Sequence, residues 1–310
     1  MIRIFKTVND KLEEVDSITK GSWIDLVSPT EDEIITMSEA YGIPVEFIKD
    51  PLDLNERPRT ESEGTTTLIV LRTPQFSEEE EHVQFVTMPL GIIITEPVII
   101  TVSLRHNDIV DKFISGRVKN VHTAKKSRFV LQFFYNTSLT YLDYLKRINA
   151  RTNSVENELH QSMKNEELIK LLDIEKSLVY FATSLKGNEI MMERLQRTIF
   201  MHLYPEDEDL FEDVIIENRQ AIEMANVYTN ILSGTMDAFA SVISNNLNMV
   251  MKVLTSVTIV LMLPTLIASI YGMNVDLPLQ NSAFSFGYIM ILSVITTLVG
   301  VMFFFRKNWF

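Results

Sequence analysis

The chain has 310 residues, 46% of them hydrophobic, no cysteine, and a formal net charge of −13. The missing thiol excludes disulfides, thiolate catalysis and cysteine-type zinc sites, and the acidic balance has the wrong sign for nucleic acid or anionic lipid. Residues 251–310 hold Lys252, Arg306 and Lys307 against Asp276, a balance of 3 − 1 = +2, so residues 1–250 carry −13 − 2 = −15, which suits metal cations or plain solubility.

Residues 1–123 read as an α/β region. Residues 1–8 and 22–27 alternate apolar and polar, as strands do. Thr30 followed by Glu33 makes a capping box for a helix through Tyr41. Residues 65–72, 83–88, 90–95 and 98–103 are rich in β-branched side chains and separated by Pro or Gly, and predict four strands of one sheet. Between these groups lies the stretch 41–59, with Asp50 before Pro51. On residue type alone Asp50 is a helix-terminal or turn aspartate.

No proline occurs between Pro97 and Pro205, and only Gly116 and Gly187 interrupt that span as glycines. Residues 124–205 therefore read as two long antiparallel helices broken near residues 161–165, with Leu139, Leu142, Leu145 and Ile148 forming packing surface. Pro205 opens the next element, whose first turns hold Glu206, Asp207, Glu208, Asp209, Glu212, Asp213 and Glu217. Some of that charge complements a helix N-terminus; seven carboxylates exceed what the dipole needs and invite cations. Residues 206–270 form one helix if nothing breaks them, roughly 98 Å long at ~1.5 Å per residue. Only about a third of that fits a bilayer core of ~30 Å, and the remainder is a stalk.

Residues 253–270 are eighteen without a charge. Stepping by three and four from Gly234 gives Asp237, Ser241, Ser244, Asn248, Met251, Thr255, Thr258, Met262, Thr265 and Ser269, a seam of small, polar or thioether side chains along an otherwise lipid-compatible helix. Ser256 and Pro264 lie off it. Ser and Thr also serve ordinary helix packing in membranes, and Met is a common filler, but a continuous seam suits helices around a shared wet axis. A second span covers residues 284–305, after a loop without a basic residue. Lys252 before the first span and Arg306 and Lys307 after the second put both termini in the cytoplasm. Residues 1–10 lack the continuous apolar core of a signal peptide.

The seam ends in Tyr271-Gly272-Met273-Asn274. This motif at the outer end of the first of two C-terminal spans resembles the CorA family of magnesium channels, and the resemblance covers essentially the whole chain. It implies an α+β cytoplasmic domain, an α/β sheet flanked by helices, joined by a long stalk helix to a two-helix transmembrane region. The parts expected are 1–123, 124–205, 206–270, the motif and outer loop 271–283, the second transmembrane helix 284–305 and a basic tail 306–310. It implies a homo-oligomer, pentameric, multi-pass in the cell inner membrane, with Tyr271, Gly272, Met273 and Asn274 as selectivity filter. Met251 and Met262 then narrow the pore, Leu254 or Thr255 contributes a hydrophobic gate, and Asp237 and Asn248 line the neck.

The family's intersubunit regulatory metal site maps onto Asp50, in a stretch ending Arg57-Pro58, and onto Asp213 of a neighbouring subunit by ungapped count from Asn274. The position next to Asp50, often acidic in the family, is Lys49, which implies a weaker or single-ion site. The resemblance implies Mg²⁺ as the transported and regulatory ion, with Co²⁺, Ni²⁺ or Zn²⁺ as alternative cargo. The outer loop carries one charge, Asp276, where many members have acidic residues near a Met-Pro-Glu sequence, so a Zn²⁺ or Co²⁺ transporter of the same architecture, proton-coupled or not, stays open. Trp309 in the short tail suits a membrane-interface anchor. An enzyme is not expected: the ten glycines are scattered, and His82, His106, His122, His160 and His202 show no ligand spacing such as H-E-x-x-H. A membrane-anchored scaffold without conduction has no use for a polar seam inside its span.

Overall fold

The structure, a computed structural model, describes residues 1–77, 83–162, 165–197, 205–278, 284–307 and Trp309. His82 and His202, the end of the outer loop at residues 279–283, and the tail residues Asn308 and Phe310 lie outside the described residues. Two compact units divide the chain, Met1–Gly234 and Thr235–Phe310.

The first unit is built on a seven-stranded sheet. Its strands are β1 (Ile2–Val8), β2 (Lys11–Glu14), β3 (Trp23–Val27), β4 (Arg59–Glu63), β5 (Thr66–Phe76), β6 (Phe85–Ile94) and β7 (Ile99–Ser103), in the order β2-β1-β3-β7-β6-β5-β4. Only β3 and β7 run parallel; every other neighbour is antiparallel. Helix α1 (Glu31–Tyr41) starts at the expected capping box. Glu33 N–H donates to Thr30 Oγ1 (3.3 Å), Thr30 N–H donates to Glu33 Oε2 (2.8 Å), and Gly42 ends the helix at φ 62°. With α2 (Val45–Lys49), α1 covers one face of the sheet, where Ile24, Leu26, Leu68, Val70, Ile93 and Ile100 meet Ile34, Met37, Phe47 and Ile48.

The opposite face carries α3 (Asp108–Ile114), α4 (Lys126–Ser162) and α5 (Asn165–Arg197). Trp23 is fully buried there among Phe5, Phe113, Phe129 and Phe133. Asp25, on the same face, accepts from Arg3 (2.7 Å) and from Thr101 Oγ1 (2.9 Å). Burial nevertheless raises its pKa, outweighing those donors. Helix α4 ends at Ser162 and α5 begins at Asn165, so the centre of the expected break at residues 161–165 lies outside the described residues.

Three expectations for the sheet change. Strands β2 and β4 are exposed and polar, so they lack the alternation that marks a half-buried strand. The turn into β2 is Asn9-Asp10, both at positive φ (48° and 63°), the geometry a two-residue hairpin needs. The segments 83–88 and 90–95 are a single strand, β6, running through Pro89. Arg72 faces Pro89 across the β5–β6 ladder, yet Arg72 N–H donates to Asn188 Oδ1 (2.9 Å) and its carbonyl accepts from Asn188 Nδ2 (2.8 Å). Arg72 and Pro89 are thus a non-hydrogen-bonded pair, and the nitrogen of Pro89 faces away from β5. The β7 ladder on that side begins only at Gly91, so the proline removes no ladder bond.

Helix α6 runs unbroken from Pro205 to Tyr271, 67 residues including Pro264, and α7 spans Ser285–Arg306. Both are long and apolar enough to cross a membrane.

Candidate permeation path and regulatory loop

Within the second unit, α6 has two contrasting sides. Ser256 and Val260 are buried, and Leu263, Pro264, Ile267 and Tyr271 are half-buried. These residues recur at helical spacing and form the side that meets α7. A Cβ on Gly300 of α7 would stand 2.9 Å from Leu263 Cδ1 and 3.6 Å from Val260 Cγ2, so this glycine sets a close helix–helix approach. Ser256, one of the two polar positions off the seam, is wholly enclosed and donates to the Val253 carbonyl (2.9 Å).

Every seam residue from Asp237 to Ser269 is exposed: Asp237, Ser241, Ser244, Asn248, Met251, Thr255, Thr258, Met262, Thr265 and Ser269. At 100° per residue the seam between Met251 and Ser269 points roughly 180° away from the Ser256–Tyr271 row. The side away from α7 is therefore the polar one. Ser241, Thr258 and Thr265 donate to the carbonyls four residues back, of Asp237 (3.0 Å), Leu254 (2.8 Å) and Leu261 (3.0 Å). This satisfies each hydroxyl proton while leaving the oxygen lone pairs for another donor such as water. Leu254 is also exposed.

At the end of α6, Gly272 N–H still bonds the Ala268 carbonyl (2.9 Å) and Met273 N–H bonds that of Ile270 (3.2 Å). The helix then stops, and Met273 and Asn274 stand exposed. Tyr271 Oη reaches the Pro278 carbonyl (3.5 Å), tying the first residues of the outer loop back to the helix end. Beyond the end of α7, Trp309 packs against Phe304 with ring centroids 5.4 Å apart.

Asp50 opens a 3-10 turn, Asp50–Leu52, at the end of α2. The loop carrying it is braced from three sides. Pro51 lies on the sheet over Gly91, where a Cβ would come within 2.3 Å of Pro51 Cγ. Pro58 lies on α5 over Gly187, where a Cβ would come within 2.9 Å of Pro58 Cγ. Between them Arg72 Nη1 donates to the carbonyls of Leu54 (2.5 Å) and Glu56 (3.2 Å), and Arg72 Nη2 to Thr87. Burial lowers the pKa of Arg72 from its ordinary value, against the pull of Tyr141 and Asp53.

The cation at Asp50 is not Lys49, whose Nζ turns to Glu31 (2.7 Å). It is Arg59, on β4. Its Nη2 lies 2.6 Å from Asp50 Oδ2 and 3.2 Å from Glu61 Oε2, its Nε donates to Glu61 (3.3 Å), and its Nη1 is paired with Glu56. Burial pulls the Arg59 pKa down, but the hydrogen bonds to Asp50 and Glu61 and the charges of Glu56 and Asp50 outweigh it, and the net shift is upward. No reading of the sequence singled out Arg59; its nine-residue separation from Asp50 leaves no local pattern.

Asp213 is exposed on α6. Of the acidic run around it, Asp207 is buried and paired with Arg128 (3.2 Å), so one of the seven charges is structural rather than available to ions. Among the described residues no group of three or more His, Asp or Glu is arranged to hold a metal within one chain.

The family model described as CorA-like Mg²⁺ transporter protein matches residues 19–307. A cobalt/magnesium transport protein CorA from Methanocaldococcus jannaschii is 30% identical over 313 residues, covering 97% of this chain and 96% of its own. One from Thermotoga maritima is 24% identical over 316 residues, covering 99% and 89%. The complete structure of the CorA magnesium transporter from M. jannaschii superposes with a TM-score of 0.86 at 28% identity, over 100% of this chain and 99% of that one.

Proposed function

This chain belongs to the CorA-like Mg²⁺ transporter family, and from that premise we propose that it is a membrane-potential-driven Mg²⁺ influx channel, gated by cytoplasmic Mg²⁺ and also passing Co²⁺. The observation that carries the proposal is the polar seam on the side of α6 opposite α7. A chain with two spans cannot enclose a pore. Several copies, a homopentamer in this proposal, set their seams around one axis and keep α7 on the outside.

In that arrangement the hydroxyls of Thr255, Thr258 and Thr265 bond the water shell of the ion. Met251 and Met262 form narrow, weakly interacting rings, and Leu254 with Thr255 makes the gate. At the mouth, a ring of Asn274 amide oxygens and backbone carbonyls near Gly272 holds hydrated Mg²⁺, which parts with its water reluctantly. Neutral oxygens hold the ion loosely enough for it to leave. Asp237 and Asn248 line the neck. Regulation follows from Asp50 and Asp213 of adjacent subunits sharing a divalent ion when cytoplasmic Mg²⁺ is high and repelling one another when it is low. Both termini are cytoplasmic in this arrangement.

Liposomes bearing the purified protein test the proposal. An inside-negative potential should drive Mg²⁺ uptake, Co²⁺ should compete, and Mg²⁺ on the cytoplasmic side should inhibit. Zn²⁺ uptake without Mg²⁺ uptake would overturn the ion assignment. Retention of full Mg²⁺ inhibition by Asp213→Ala would overturn the regulatory one.

A further inference from the structure

We propose that Arg59 is a built-in competitor of the regulatory divalent ion, and that its hold on Asp50 sets the Mg²⁺ concentration at which the channel closes. The proposal rests on the reading of Asp50 as a regulatory ligand and adds what limits its affinity.

Asp50 is a fixed target. Pro51 and Pro58 are seated on Gly91 and Gly187, and Arg72 holds the intervening carbonyls, so the loop cannot carry the carboxylate away from Arg59. Arg59 is the movable partner. It is about 29% exposed, and Asp50 about 34%, so both remain open to solvent and to an arriving ion. A Mg²⁺ ion approaching Asp50 meets the guanidinium already seated 2.6 Å from Oδ2, and the repulsion between the two positive charges sets ion binding against the Arg59 contact.

Arg59 can leave without being stranded. Glu56 keeps Nη1 and Glu61 keeps Nε, so the exchange breaks one contact of the guanidinium and leaves the others. That makes the pair a two-state element, with Asp50 either on Arg59 or on the ion. An ion that binds only the released form has its apparent affinity reduced by the fraction of time Asp50 is free. For a partly exposed pair that reduction is about twofold to sixfold. Lys49, the nearer cation in sequence, plays no such part because Glu31 holds it.

The test uses the full-length protein in liposomes and reads the cytoplasmic-side Mg²⁺ concentration that halves the flux. Arg59→Gln should lower it by about twofold to sixfold. A lesion that merely loosens the fold would weaken the regulatory site and raise it. Lys49→Gln should leave it in place. An unchanged or higher value in Arg59→Gln would overturn the proposal, as would a fall confined to Lys49→Gln. Where Arg59→Gln does not assemble, Arg59→Lys serves: it keeps the charge but loses the fork, and a fall of about twofold or more is expected, with no fall counting against the proposal. Asp50→Ala separates the two layers of the argument. If it abolishes Mg²⁺ inhibition while Arg59→Gln changes nothing, Asp50 remains a ligand and the competitor is wrong. If Asp50→Ala keeps full inhibition, the regulatory reading fails and takes the competitor with it.

Discussion

In the proposed pore Asn274 ends the polar seam with a neutral amide oxygen, which hydrogen-bonds an ion's water shell without the charge of a carboxylate. A ring of carboxylates there would compete with water for the metal and slow its release. Replacing Asn274 by Ala removes the oxygen and little else, since the residue is exposed and lies beyond the last turn of α6. Flux of Mg²⁺ should drop by about tenfold or more in Asn274→Ala, while assembly in detergent is unchanged; undiminished flux would show that the filter lies elsewhere. The carboxylates behave differently according to their surroundings. Asp25 and Asp207 are buried and paired with Arg3 and Arg128, so they brace the fold. Asp213 stands in solvent, and Asp50 is paired with Arg59 at the surface.

Among the elements, the loop between α2 and β4 is held by shape as well as by the hydrogen bonds from Arg72. The clearest case is Gly91, where a methyl group would overlap Pro51. Gly91→Ala should destabilise the N-terminal unit by about 1–3 kcal/mol through this overpacking, readable as a lowered thermal midpoint. An unchanged midpoint would mean the contact is slack. The sequence pointed to Pro89 as a break, because Pro usually ends strands. It could not show that Pro89 occupies a position needing no donor, or that Gly91 makes room for a residue forty positions earlier. Local signals were legible: the Thr30–Glu33 box and the uninterrupted α6. Partners distant in sequence were not. The sequence shows Lys49 only as a lysine where the family often has an acidic neighbour of Asp50, whereas Arg59 reaches Asp50 from an edge strand that has no apolar alternation to announce it. The seam was legible because helical spacing is fixed; that Ser256 faces α7 became evident only with α7 in place.

At the scale of the molecule, a net charge of −13 is carried by a chain whose last sixty residues are slightly positive. The acidic bulk lies outside the spans, where it raises the local concentration of cations. The membrane potential contributes ~2.3 kcal/mol per charge per 100 mV, hence about twice that for a divalent ion, so influx needs no further energy source. The remaining requirement is a conduit, and the central claim is that the side of α6 opposite α7 forms it. The absence of native cysteine allows a direct test with single cysteines introduced into the full chain. At Asn248, Met251, Thr255 and Thr258, on the seam, a hydrophilic thiol reagent should react and block Mg²⁺ flux. At Val260 and Leu263, on the side that meets α7, it should do neither. Block at the seam alone is the predicted result; equal reaction on both sides, or block only from the α7 side, would contradict the account.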